Sequence, residues 1–310
     1  MKFSIVIPLY NKEAEINKTL QSVILQTFQD YEVVVIDDGS TDNSLHIASM
    51  YESRRFKVVS KINGGVSSAR NLGIHLAVGD YVVFLDSDDS LYKNHLQTLS
   101  DLIDEYPDNV LFSTNHIIEE NGRFFNAPSS LPDGFQGKVK EPFQELSKGL
   151  SLLNSSTTCV RRDILREDML FPVGVSRGED LYLWIKIIAR YGICHSSLRT
   201  VVINRDASER SANKRLSEVP AYFLEILSLV DSHDVSSIDK VGLRRFYTKS
   251  ALKTAAFYKM RSDWYFLRKI TRLSFSNGLY RDVFIMLLIA ICPNVVFKMA
   301  KSIFFRKSNR

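Results

Sequence analysis

The sequence predicts an α/β protein: a doubly wound, mixed and mostly parallel sheet followed by a helical C-terminal region. Three observations carry this. The first 118 residues alternate short strand-like runs with helix-period runs, the pattern of repeated βα units. The strand-like runs are apolar throughout rather than on alternate positions, so both faces of the sheet are covered. From Leu216 onward only helical periodicity remains.

Each element has its own signal. Phe3-Ser4-Ile5-Val6-Ile7 reads as a buried strand. Glu13 to Gln26 follows with Ile16, Leu20, Val23 and Ile24 at helical spacing. Glu32 to Ile36 is a β-branched run closed by Asp37-Asp38-Gly39-Ser40. Ser40 or Thr41 is placed to cap the next helix, which carries Leu45, Ile47 and Ala48. Phe56 to Ser60 is a third strand. Gly64-Gly65 breaks the chain before a helix from Ser67 to Ala77. Tyr81-Val82-Val83-Phe84-Leu85 is the most apolar strand. Asn94 to Glu105 is helical and Val110 to Ile118 extended. Residues 124–149, with Pro128, Pro132 and Pro142, read as a loop or lid. A short strand over Ser155–Val160, a short helix over Arg162–Glu167, a helix over Asp180–Tyr191 and a strand over Ile193–Ile203 complete the body. The boundary falls at residue 215, giving an α/β unit of residues 1–215 and a basic helical region of residues 216–310.

Composition narrows the class. Hydrophobic residues make up 45% and charged residues 24% of the chain, so a folded core is expected rather than disorder. The three cysteines, Cys159, Cys194 and Cys292, lack any CxxC spacing, so neither a disulfide framework nor a zinc site follows. That pattern fits a reducing, cytoplasmic compartment. The N-terminal apolar run is too short for a signal peptide. No nucleic-acid partner is expected.

Charge is uneven. Residues 240–310 hold sixteen Lys and Arg against Asp263 and Asp282, while the rest holds 24 basic and 33 acidic residues. A basic tail interleaved with apolar and aromatic residues predicts contact with an anionic membrane surface, peripheral and on the inner face of the cell membrane. The run from Phe284 to Cys292 is interrupted by Pro293 and falls short of the roughly 20 apolar residues of a membrane span. The alternative for this segment is a helix packed on the body or in a homodimer interface.

In open α/β sheets, ligands bind beyond the carboxyl ends of the strands. Four polar clusters sit at or near such places. Asp86-Ser87-Asp88-Asp89 follows the most apolar strand and crowds three carboxylates into four residues. A divalent cation, Mn²⁺ or Mg²⁺, with a nucleotide diphosphate would justify that crowding. A plain helix-capping turn is the alternative. Asp37 and Asp38 close the second strand, where a carboxylate can accept from a base or a ribose. Asn63-Gly64-Gly65 with Arg70 offers close backbone approach and a cation for a phosphate or base. Arg177-Gly178-Glu179-Asp180 places two acids at a helix start. One of them is a candidate general base, and first-turn acids favoured by the helix dipole are the alternative.

Together these clusters resemble glycosyltransferase family 2, the inverting transferases of the GT-A fold. The matching stretches are Ile5 to Glu13, Ile36 to Asp42, Gly65 to Gly73, Gly79 to Asp89, and Gly178-Glu179-Asp180 with Trp184, in the family's order across residues 3–190. The resemblance implies a GT-A-like catalytic unit and a role for each position. Pro8, Tyr10, Glu13, and Asp37 or Asp38 would line the nucleotide-sugar pocket. Arg70 would lie near the base or phosphates. Asp86 would approach the ribose, and Asp88 the metal, with Asp86 beside it and Asp89 next in the turn. Asp180 would be the base, with Glu179 next in line. Two departures stand out. Lys93 replaces a frequent proline, and the loop that often carries a histidine reads Asn204 to Ser211, where Arg205 or Arg210 could substitute.

The implied activity is inverting transfer from a nucleotide-diphosphate sugar, a UDP-sugar, to a hydroxyl of a saccharide or lipid-linked glycan in cell-surface polysaccharide synthesis. Two alternatives remain: transfer to a polyprenyl phosphate, or a non-catalytic nucleotide-sugar-binding module. A nicotinamide-dependent oxidoreductase is excluded, because Pro8-Leu9-Tyr10-Asn11 stands where GxGxxG would follow the first strand.

Overall fold

A computed structural model describes residues 2–148, 152–175, 177–207, 219–231 and 237–291. The predicted boundary at residue 215 and the candidate Arg210 lie outside the described residues, as does the sequence after Ile291.

Strands β1 (Phe3–Leu9), β2 (Tyr31–Asp37), β3 (Phe56–Ser60) and β4 (Tyr81–Phe84) alternate with helices α1 (Ile16–Ile24), α2 (Ser44–Ser49) and α3 (Val66–Leu76). A two-residue strand β5 (Ser90–Leu91) and helix α4 (His95–Glu105) follow. Next come strands β6 (Leu111–Glu120), β7 (Arg123–Asn126) and β8 (Gln136–Lys138), helix α5 (Pro142–Ser147) and strand β9 (Thr158–Arg161). Helix α6 (Glu179–Tyr191) and strand β10 (Cys194–Asn204) close the sheet. Helices α7 (Ala221–Asp231), α8 (Ser237–Met260), α9 (Trp264–Ser276) and α10 (Tyr280–Ile291) form the C-terminal region.

The sheet runs β3-β2-β1-β4-β9-β6-β10-β5, with β7 on β6 and β8 on β10. It is parallel through β3-β2-β1-β4 and again between β6 and β10. β9 runs antiparallel between β4 and β6. The carboxyl ends of β1, β2, β4 and β6 therefore share one edge.

Every residue of β1 is buried, as a strand covered on both faces must be. Helix α1 turns Ile16, Leu20 and Val23 inward beneath one face, with Leu96, Leu99 and Leu102 of α4 beside them. The other face is covered by α3 and α6, and its core extends without a break into α7–α10 through Phe223, Leu243, Tyr247, Ile270 and Met286. Gly73 lets α3 come down onto β1: a Cβ there would lie 2.3 Å from a Val6 methyl.

Four local expectations differ from the structure. Residues 124–149 are not one long loop. β7 pairs with β6, β8 pairs with β10, and α5 packs on α8. All four β7 residues are exposed, so its edge pairing leaves no hydrophobic alternation to read. Ser155–Thr157 is a tight 3₁₀ turn before β9, fixed by reciprocal hydrogen bonds between Asn154 and Thr157. Arg162–Ile164 is a single 3₁₀ turn. Neither Ser40 nor Thr41 caps α2. The helix starts at Ser44, whose N–H donates to Asp42 Oδ1 at 2.9 Å.

Candidate active site

The turn after β4 lies where three strand ends meet. The Asp86 N–H donates to Ser156 Oγ at 3.0 Å, and Ser156 Oγ–H donates to Asp89 Oδ2 at 2.5 Å. The 3₁₀ turn before β9 thus fixes the carboxylate turn. Asp89 also accepts from the Asn204 N–H at 2.9 Å. It is buried, and burial together with Asp88 and Asp86 holds its carboxyl well above the usual range. Asp89 anchors the turn from within. The strand β5, rather than a capped helix, follows it.

Asp86 and Asp88 keep partial exposure. Burial and then the Asp86 charge raise the Asp88 pKa, and Lys12 Nζ at 3.0 Å opposes that rise. Two neighbouring oxygen-donor carboxylates suit a hard divalent cation, with substrate phosphates completing its shell. Among the described residues, no group of three or more His, Cys, Asp or Glu side chains is placed to hold a metal by itself.

Arg70, on α3, joins this turn to the start of α6. Its NH2 lies 2.7 Å from Asp86 Oδ1, and its NH1 lies 3.0 Å from Glu179 Oε1. The guanidinium rests 5.1 Å from the Phe171 ring centre. Burial works against its charge, but Asp86, Glu179 and Asp180 outweigh that and raise its pKa. The side chain is only 4% exposed. The resemblance places Arg70 near the base or phosphates; in the structure its partners are the carboxylates Asp86 and Glu179.

Asp180 stands in the first turn of α6. Gly178 precedes the helix at φ +76°, a left-handed conformation, and a Cβ there would meet the Tyr222 ring at 2.7 Å. The carboxylate accepts from the Leu181 N–H at 2.7 Å. Burial, then Glu179, push its pKa up to about 6, with Arg70 opposing. That is the range a general base needs near neutral pH.

The remaining candidates divide. Asp37 accepts from Ser40 N–H and Ser60 Oγ–H, at 3.2 and 2.7 Å. Asp38 accepts from the N–H groups of Gly64 and Gly65, at 2.9 and 2.7 Å, and from Lys61 Nζ. These contacts tie the glycine loop to the end of β2. Pro8 is buried in β1, and Tyr10 just beyond it is 37% exposed. Glu13 is exposed and accepts from Asn43 N–H at 2.9 Å. Trp184 is displaced from the site surface: it is fully buried, 5.5 Å from the rings of both Phe84 and Phe171. Its place on the apolar stripe of α6 decides this. Arg205 pairs with Glu120 at 3.7 Å and donates its N–H to Glu119 O at 2.8 Å.

Sequence reasoning misses Lys12, Ser156 and Phe171. Lys12 does follow β1 directly, inside a stretch already singled out, which is a usable signal. Ser156 and Phe171 act through tertiary contacts that no spacing announces.

The model of Glycosyl transferase family 2 matches residues 4–168. The chain is 42% identical over 298 residues to "Uncharacterized glycosyltransferase YibD" of Escherichia coli (strain K12), covering 90% of this chain and 86% of that protein. It is 30% identical over 250 residues to the poly(ribitol-phosphate) beta-N-acetylglucosaminyltransferase TarS of Staphylococcus aureus (strain MW2), over 74% of this chain and 40% of TarS. The crystal structure of S. aureus TarS 1-349 in complex with UDP-GlcNAc superposes with a TM-score of 0.63 at 25% identity, over 80% of this chain and 71% of that one. The chain spans 31% of the length of an uncharacterized glycosyltransferase of Rickettsia conorii, to which it is 34% identical over 196 residues. A family match across more than half the chain, a relative aligned almost end to end, and a fold that superposes on a solved glycosyltransferase place this chain in glycosyl transferase family 2.

Proposed function

We propose that the protein transfers a sugar from a UDP-sugar to a hydroxyl of a saccharide or lipid-linked glycan, with inversion, in cell-surface polysaccharide synthesis. The observation that carries this is the Arg70 bridge. It holds the donor-side carboxylate Asp86 and the start of α6, with Asp180, on one rigid frame. The UDP-GlcNAc bound by TarS makes that nucleotide sugar the first donor to test.

Donor recognition falls to the ends of β1 and β2. Tyr10 offers an exposed ring beside Pro8, and Glu13, Asp37 and Asp38 order the turns around it. Asp86 and Asp88 would hold a divalent cation, Mn²⁺ or Mg²⁺, which when bound would screen the charge of the diphosphate. On the acceptor side, Asp180 takes the hydroxyl proton as that oxygen bonds to the anomeric carbon. The bond from that carbon to the diphosphate oxygen breaks, and its electron pair leaves with the nucleotide. One displacement gives inversion. A free alcohol is a poor nucleophile at neutral pH, which is why a base with a pKa near 6 matters.

The test separates binding from turnover. UDP-GlcNAc and other nucleotide sugars are titrated into the full chain with Mn²⁺, then UDP release is followed with saccharide acceptors. Asp180→Asn is expected to bind donor normally and not to turn over. Loss of donor affinity in that variant would make Asp180 a donor-site residue and sink the assignment.

A further inference from the structure

Helix α10 presents two different faces. Asp282 and Met286 point inward, where Asp282 accepts from Thr248 Oγ1–H at 2.6 Å and the Met286 sulfur meets Thr271. On the other side, Tyr280, Phe284, Leu287, Leu288 and Ile291 recur at the spacing that places them on one helix face. All five are exposed, Phe284 by 62% and Ile291 by 76%. Phe275 of α9, itself exposed, packs edge-on against Tyr280 at 5.5 Å and extends the stripe onto the neighbouring helix. A continuous apolar stripe of this kind marks an interaction surface.

Its border is basic. Arg268, Lys269 and Arg272 are exposed on α9, and Arg281 is exposed at the start of α10. Residues 240–291 carry eleven Lys and Arg against two acids, of which Asp282 is buried. The sequence of residues 292–310 adds five more basic residues and no acid. A two-fold dimer through this face would set like charges against each other, because the same patch serves both copies. Helix α10 has 12 residues, and among the described residues no helix is long and apolar enough to cross a membrane. Apolar stripe and cationic border together match an interface where acyl chains meet phosphates.

We propose that the α9–α10 face docks on the surface of an anionic phospholipid bilayer. Tyr280, Phe284, Leu287, Leu288 and Ile291 enter the headgroup–acyl boundary, and Arg268, Lys269, Arg272 and Arg281 lie against lipid phosphates. This does not depend on the identity of the donor or acceptor.

The full chain is sedimented with phosphatidylcholine vesicles, with and without phosphatidylglycerol, at low and high salt. Binding is expected only with phosphatidylglycerol and is reversed by salt. Replacing three charges, Arg268→Gln, Lys269→Gln and Arg272→Gln, lowers the partition coefficient on the order of 100-fold. Leu287→Asp with Leu288→Asp abolishes binding while thermal unfolding stays cooperative; Phe284→Ser replaces that pair if it does not fold. No sedimentation at low salt, equal binding to neutral vesicles, or unchanged binding by folded variants of both kinds overturns the proposal. So does a wild-type dimer that the aspartate pair dissociates, which assigns the face to a second copy.

Discussion

Asp180→Asn has two consequences of opposite sign. The carboxyl sits at a pKa of about 6 against an ordinary value of 3.8, chiefly through burial. A raised carboxylate pKa means that the folded state prefers the protonated form. The contribution of Asp180 to stability is therefore fully present below about pH 3.8. It is lost as pH rises to about 6, above which the ionisation cost is complete. A rise from 3.8 to about 6, at about 1.4 kcal/mol per tenfold change in the acid constant, would give about 3 kcal/mol. The side chain retains some solvent access, which brings the figure to about 1–2 kcal/mol. Asparagine carries no such cost and can still accept the Leu181 N–H. The variant is therefore expected to be more stable than wild type at pH 8, with the gain vanishing by pH 4. Losing a general base lowers turnover by about 10²–10⁴-fold. Denaturant unfolding at both pH values and UDP release at pH 8 measure the two effects. A variant that is less stable at pH 8, or that turns over within ten-fold of wild type, would refute the reasoning.

Further outcomes follow from the same network. In wild type, kcat/KM with a saccharide acceptor rises with pH along an acid limb centred near 6, as Asp180 loses its proton; a flat profile from pH 5 to 8 moves the base elsewhere. Asp88→Ala keeps its fold, because Asp88 is partly exposed, yet loses nearly all transfer; full activity in both this variant and EDTA-treated wild type removes the metal assignment. Arg70→Met leaves Asp86 and Glu179 without their shared cation and costs about 3 kcal/mol in urea unfolding, with transfer lost as well; an unchanged midpoint contradicts the bridge. Gly178→Ala forces a Cβ against Tyr222 at positive φ and costs about 1–3 kcal/mol; a thermal midpoint equal to wild type would show that the helix start tolerates a side chain.

The parts of this fold that were legible are those where burial dictates sequence. β1, β2 and β4 lie inside a covered sheet, so their residues had to be apolar, and the acids placed directly after them stand out by contrast. β7 and β8 failed for the converse reason. All four side chains of Arg123–Asn126 face water, and the one buried position of the three-residue Gln136–Lys138 is a glycine, so neither carries a hydrophobic period to read. Trp184 shows two signals in competition. The resemblance carried by Gly178-Glu179-Asp180 with Trp184 points to the site, while the apolar stripe Leu183, Trp184, Ile187, Ile188 points to the core, and packing against Phe84 and Phe171 decides for the core.

The roles of the charged residues were harder, because they are set by partners far away in the chain. Arg70 and Glu179 are 109 positions apart, and Lys12, just after β1, meets Asp88, just after β4. Nothing beside Arg70 in the sequence announces the two carboxylates that pair with it. The physical consequence is that the site is already paired. Lys12 balances Asp88, and Arg70 balances Asp86 and Glu179. Asp180 is left with burial and a like-charged neighbour as its strongest influences, and they raise its pKa to about 6. Anchoring the neighbouring charges in fixed pairs is what allows one carboxylate to remain chemically available on an otherwise rigid frame.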